Sequence, residues 1–313
     1  MRYLLLAALL AATPATAEPL RLQLKWLPQT QFAGYYVAEA KGFYESAGLE
    51  VEIIPGGVDF DPAERLAAGK ADISIEWFPA AMTAREGGLE LVNVAQPYAK
   101  SGFALTCLKS KVHDALALKG AKIAIWGAGN EYPALALLSA VGLTPSDVTL
   151  VEQNGPASSF LKDDAADCVS TMSYNEAREV TGAGFVSSDL TIIDAPALGT
   201  SLLDDGLYVE AGRLADPSFA ANVQAFVDAS MQGWVWAQKN PEEAAKIVVD
   251  LANLDPTSLS EQTQMLEEVS ALLGQTSAMD EASFAAASEL LFQAGLISSM
   301  PDYTTIVPEI VGN

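Results

Sequence analysis

Short runs rich in β-branched and aliphatic residues recur along this chain, and most are followed by a stretch with helical periodicity. That alternation confines the chain to an α/β fold with mixed, mainly parallel sheets. Leu20 to Trp26 reads as a first strand, Tyr35 to Ser46 as a helix ended by Gly48, and Leu49 to Ile54 as a second strand stopped by Pro55-Gly56-Gly57. Asp61-Pro62-Ala63-Glu64 then supplies an N-cap, a proline at the first helical position and an early acid. Ala71 to Trp77 reads as a third strand and Pro79 opens another helix, completing a βαβαβ half. A second unit starts near Gly102, with strands expected at Phe103 to Leu108, Lys122 to Trp126, Thr149 to Glu152 and Asp167 to Thr171. Leu190 to Ile193 and Gly206 to Glu210 read as strands leading back to the first half. From Pro217 onward the pattern is helical, over Phe219 to Lys239, Pro241 to Ala252, Leu259 to Leu273 and Glu281 to Ala294.

The first residues carry a different signal. Arg2, the apolar run Leu4 to Ala12 and the small residues Ala15-Thr16-Ala17 form the three-part pattern of a cleavable export signal. The run is far shorter than the roughly 20 residues that cross a bilayer, so a membrane anchor is not expected. Removing residues 1–17 leaves 296 residues, enough for two lobes: 18–104 with 206–313, and 105–205. Two crossings of the chain between them, near 103 to 107 and 200 to 208, would form a hinge. The formal net charge of −23 becomes −24 when Arg2 leaves with that segment, which disfavours nucleic acid and anionic lipid as partners. Cys107 and Cys168 would meet an oxidising compartment and invite a disulfide, the alternative being two buried thiols.

In open α/β sheets, ligands bind beyond the carboxyl ends of strands, where helix N-termini offer free N–H groups. The segments in those places are Lys25 to Tyr36, Glu76 to Pro79, Trp126 to Pro133 and Ser170 to Glu176. They contribute Trp26, Gln31, Phe32, Tyr35, Glu76, Trp77, Trp126, Asn130, Glu131, Tyr132, Tyr174, Asn175 and Glu176 as expected ligand-binding residues. Aromatic faces stack on a planar ring, while carboxylates and amides serve its in-plane hydrogen bonds. A carboxylate that accepts from an amino group and a neighbouring ring N–H suits an aminopyrimidine. Lys25 is the only basic residue in these segments, so sulfonates and phosphates, which call for arginine forks, are disfavoured. Gly127 and Gly129 lack the third glycine of a dinucleotide loop. Trp234 and Trp236 lie on a late helix and read as packing residues. One histidine and two cysteines expected to be bridged leave little for nucleophilic or metal catalysis, so neither an enzyme nor a cofactor or metal site is expected.

At these segments the chain resembles the NMT1/THI5-like group of periplasmic binding proteins. Lys25-Trp26, Gln31-Phe32-Ala33-Gly34-Tyr35-Tyr36-Val37-Ala38, Lys41-Gly42-Phe43-Tyr44 and Gly48-Leu49 carry the likeness, which extends through Ala67 to Asp72, Gly129 to Pro133, Ala166-Asp167-Cys168, Ser173 to Glu176 and Asp205 to Tyr208. The resemblance implies a two-lobed type II fold, here expected to be a monomer, that closes on its ligand and docks on an ABC permease with its ATPase. It also implies a thiamine pyrimidine precursor such as formylaminopyrimidine or hydroxymethylpyrimidine as ligand, with riboflavin or another heterocycle as the alternative. A second alternative is a ligand-sensing partner of a membrane receptor kinase. A fungal enzyme of the same superfamily has histidine where Phe32 stands and a cysteine cluster near Leu198 to Leu203, and this chain has neither.

Overall fold

The computed structural model describes residues 18–57 and 60–309. The expected export segment, residues 1–17, lies outside the described residues. The first lobe begins with β1 (Leu20–Gln23), α1 (Ala33–Ala40), α2 (Phe43–Ser46), β2 (Val51–Ile54), α3 (Pro62–Ala67), β3 (Ile73–Trp77), α4 (Phe78–Glu86) and β4 (Leu91–Ala95). The second lobe holds β5 (Phe103–Leu108), β6 (Lys122–Ile125), α5 (Tyr132–Ala140), β7 (Thr149–Glu152), α6 (Ala157–Lys162), β8 (Cys168–Met172), α7 (Glu176–Gly182) and β9 (Leu190–Asp194). The chain then returns through β10 (Asp205–Glu210) and finishes in α8 (Pro217–Lys239), α9 (Pro241–Leu251), α10 (Leu259–Leu272), α11 (Glu281–Gln293) and α12 (Tyr303–Ile306).

Each lobe is built on a five-stranded sheet, ordered β2-β1-β3-β10-β4 in the first and β7-β6-β8-β5-β9 in the second. The strands joined by helical crossovers pair in parallel: β1 with β2 and β3, and β6 with β7 and β8. The strand that arrives from the other lobe is antiparallel to both neighbours, β10 between β3 and β4, β5 between β8 and β9. The sheets are therefore mixed for one reason: an arriving strand enters from the side of the cleft, where its neighbours end. Strand β4 has no counterpart in the sequence reading, and the single helix expected over Tyr35 to Ser46 is broken. Gly42 adopts a left-handed φ of 70°, which stops α1 and starts α2 one residue later.

The two crossings are tied together where they run side by side. The Gly102 N–H donates to the Asp204 carboxylate at 2.9 Å, and Gln96 Nε2 donates to the carbonyl of Asp204 at 3.1 Å. In the second lobe Cys107 and Cys168, cross-strand partners on β5 and β8, are bonded to each other and fully buried. Closing the intervening loop contributes about 4 kcal/mol in the chain-entropy account. The first-lobe core is extended by α8, which lies against α1 so closely that a methyl group on Gly34 or Gly233 would collide with Trp234 or with the Gly34 carbonyl. Trp234 is buried in that contact, edge-on to Tyr35 and Tyr98, and Trp236 lies under the Lys41 ammonium at 4.1 Å.

Candidate ligand-binding cleft

Antiparallel arrival brings the beginning of one strand beside the end of another at the same edge of each lobe. Asp205 at the start of β10 is opposite Trp77 at the end of β3, and Phe103 at the start of β5 is opposite Met172 at the end of β8. The two edges face each other across a cavity. Lys25, Trp26, Gln29, Gln31 and Trp77 line it from the first lobe, and Trp126, Asn130, Met172, Tyr174, Asn175 and Glu176 from the second. Trp126 is its hub: the rings of Trp26, Trp77 and Phe103 meet it edge to face at 6.3, 6.4 and 6.3 Å. The cavity has about 20 Å³ of free space, room for roughly one water. A ring can enter only if the lobes part or the indoles turn. On the far side of Trp26, Trp126 and Glu176 lies an open groove of about 300 Å³, also bordered by Leu27, Gln153 and Glu179.

The wall of the first lobe is cross-bonded. Gln29 Nε2 donates to Gln31 Oε1 at 2.7 Å, Gln31 Nε2 donates to one oxygen of Asp205 at 2.8 Å, and the Trp77 indole N–H donates to the other at 2.8 Å. The Tyr98 hydroxyl donates to the Gln31 carbonyl at 2.8 Å. This chain fixes the Trp77 ring and the Gln31 amide before any ligand arrives. Burial pushes the Asp205 carboxyl up to about 6 despite both hydrogen bonds. Beneath Trp77, Lys25 Nζ sits 3.5 Å from Glu76 Oε2 and 4.9 Å from the indole centroid. Burial pushes the Glu76 carboxyl up to about 7, outweighing the attraction of Lys25. At the crossing, burial raises Asp204 to about 8.

On the second lobe, Glu176 opens α7. Its Oε2 accepts the Met172 N–H at 3.0 Å and its Oε1 accepts from Asn175 Nδ2 at 3.0 Å. The residue keeps some surface at the cavity while its carboxyl is enclosed by protein, and burial raises that carboxyl to about 7. Among the described residues no cation stands against it. Asn130 Nδ2 donates to the Gly127 carbonyl at 3.0 Å, which holds the loop that follows β6. Outside the cavity, Arg178 on α7 reaches Glu268 on α10 at 2.7 Å and also Gln264, joining the second lobe to a first-lobe helix.

Five of the expected binding residues stand elsewhere. Phe32 is fully buried, and Tyr35 stacks on Phe226 at 6.2 Å, so both belong to the packing between α1 and α8. Glu76 lies behind the wall, where it faces Lys25. Glu131 accepts the Gly129 N–H at 3.0 Å and shapes its own loop. Tyr132 is half-buried beside Thr83 of the first lobe. Four residues of the site were not on the expected roll: Lys25, Gln29 and Met172 in the lining, and Asp205 behind it. The Asp204-Asp205 pair opening the apolar run Leu207 to Val209 was the available signal for the last. Among the described residues no three His, Cys, Asp or Glu side chains are grouped to hold a metal, and no helix is long and apolar enough to cross a membrane.

Residues 29–244 match the protein family described as NMT1/THI5 like. A riboflavin-binding protein of Chloroflexus aurantiacus is 30% identical over 277 residues, 84% of this chain and 76% of that protein. A formylaminopyrimidine-binding protein of Halalkalibacterium halodurans is 24% identical over 265 residues, 84% of this chain and 79% of that one. Among solved structures, the periplasmic aliphatic sulphonate binding protein of Escherichia coli superposes with a TM-score of 0.69 at 15% identity, covering 95% of this chain and 94% of that chain. That likeness is one of fold: two mixed α/β lobes about a cleft, the periplasmic binding protein arrangement.

Proposed function

Because the chain belongs to the NMT1/THI5-like family, we propose that it is the solute-binding component of an ABC importer and carries a small planar nitrogen heterocycle to a permease and its ATPase. The ligand class we assign is a thiamine pyrimidine precursor such as formylaminopyrimidine or hydroxymethylpyrimidine. The protein works in the periplasm after loss of residues 1–17, as a monomer, and performs no reaction on its ligand.

One observation carries this reading: Glu176, a carboxylate without a cation among the described residues, stands at the edge of a cavity walled by tryptophans from both lobes. With two lone-pair sites still open, it suits an amino group beside a ring N–H, while the indoles suit the faces of the ring. Two relatives bear names for binding flat nitrogen heterocycles, riboflavin in one case and formylaminopyrimidine in the other. A sulfonate is a poor match. The cavity has a single cation, Lys25, and Glu76 already faces it. The lone histidine, His113, is exposed and not in the cavity lining, and both cysteines are bonded to each other. Closure follows if the ligand binds the closed form more tightly than the open one.

Calorimetry of the purified chain with formylaminopyrimidine, hydroxymethylpyrimidine, riboflavin and taurine tests the proposal. One of the two pyrimidines is expected to bind at micromolar concentration or below. Tight binding of taurine with no heat from any heterocycle would overturn it.

A further inference from the structure

We propose that Lys25 reads a carbonyl oxygen of the ligand, so that the bound heterocycle presents a neutral acceptor to the first lobe and N–H donors to Glu176 in the second. This rests on the reading of the cleft given above and narrows its ligand class.

Among the residues lining the cavity, Lys25 alone is buried with a polar atom that has no hydrogen-bond partner. It is 2% exposed. The ammonium carries three donors, and among the described residues its one ion-pair partner, Glu76 Oε2, stands at 3.5 Å, long for a charged hydrogen bond. Burying an ammonium with its donors unused is costly, so such a group at a cavity wall is matched by something that enters the cavity. Glu76 Oε1 is likewise without a partner, each oxygen of Asp205 already accepts one hydrogen bond, from Gln31 or Trp77, and Gln31 Oε1 accepts from Gln29; none of these bonds Nζ.

The charge of the surroundings selects the acceptor. Glu76, Asp204, Asp205 and Glu176 are four enclosed carboxyls against the single cation Lys25. An anionic ligand group would have to stand among those carboxyls, and an ammonium on the ligand would face Lys25 directly. A neutral carbonyl avoids both, and it projects beyond the ring edge toward Nζ. A flat heterocycle bearing a formyl or ring oxo group, with amino or ring N–H groups on another edge, fits both walls.

The test compares two pairs by calorimetry: formylaminopyrimidine with its deformylated amine, and lumichrome with 2,3-diaminophenazine, which keeps N–H donors but lacks carbonyls. In at least one pair the wild-type chain is expected to bind the carbonyl-bearing member tenfold or more tightly than its partner. That is the range of one charged hydrogen bond. Lys25→Met is expected to reduce the difference to threefold or less by weakening only the carbonyl-bearing member. Because that variant leaves Glu76 unpaired, Lys25→Met/Glu76→Gln, checked for a cooperative melt, is measured beside it and is expected to show the same loss. Equal wild-type affinities within both pairs, or a preference that survives in the doubled variant, would overturn the role of Lys25 and leave the heterocycle reading standing. No binding of any of the four would overturn both.

Discussion

In the first lobe Gln29, Gln31, Trp77 and Asp205 are hydrogen-bonded to one another, whereas in the second Glu176 is held by one backbone N–H and the neighbouring Asn175. The first wall has used most of its polar valence on itself. Its polar groups therefore act mainly as a frame for the Trp77 ring, and the second wall keeps an anion for the ligand. The contrast teaches that burial alone does not mark a binding residue. Asp205 and Glu176 are both enclosed carboxyls with raised pKa values and two donors each, yet Asp205 stands behind the lining and Glu176 in it.

Substitutions should separate the two walls. Asp205→Ala leaves the Gln31 amide and the Trp77 indole N–H without partners, and two stranded buried donors cost about 3 kcal/mol or more in stability. Chemical denaturation should register that loss even without ligand. Stability should also depend on pH. Asp204, Asp205, Glu76 and Glu176 are raised to about 8, 6, 7 and 7, against roughly 4 in an unfolded chain. The folded chain holds protons at pH values where the unfolded chain has released them. Stability therefore falls as pH rises from about 4 to about 8, by about 1.4 kcal/mol per unit for each group still protonated only in the folded state. Melting should be higher at pH 5.5 than at pH 7.5, and Asp204→Asn should flatten the slope.

The second wall answers in affinity. Glu176→Gln replaces an acceptor-only carboxylate by an amide and should weaken ligand binding roughly 30-fold, about 2 kcal/mol, with little change in melting temperature. Arg178→Ala removes the partly exposed ion pair with Glu268 outside the cleft. Its effect should be the smallest, about 0.5 kcal/mol or roughly twofold in affinity.

The parts of this site that were legible in sequence are those that end parallel strands. Trp77 closes β3, Trp126 follows β6, and Tyr174 to Glu176 follow β8, so a rule about carboxyl ends points to residues that line the cavity. Asp205 escaped that rule because it begins an antiparallel strand, and only the topology brings its amino end to the same edge. Phe32 and Tyr35 misled for a different reason. Tyr35, Tyr36, Val37 and Ala38 are all buried, so α1 is covered on every side, and an aromatic residue near a strand end was packing rather than ligand surface. The broken helix at Gly42 and the edge strand β4 depended on a backbone φ and a partner strand from much later in the chain, which local pattern does not encode.

The central claim is that a planar ring lies between the indoles with its N–H edge on Glu176. A crystal structure of the chain with the tightest-binding heterocycle tests it most directly. The account predicts the ring face against Trp26, Trp77 or Trp126 and a ring or amino nitrogen within about 3.2 Å of a Glu176 oxygen. A ligand seated elsewhere, or in the cleft with no donor on Glu176, would contradict it.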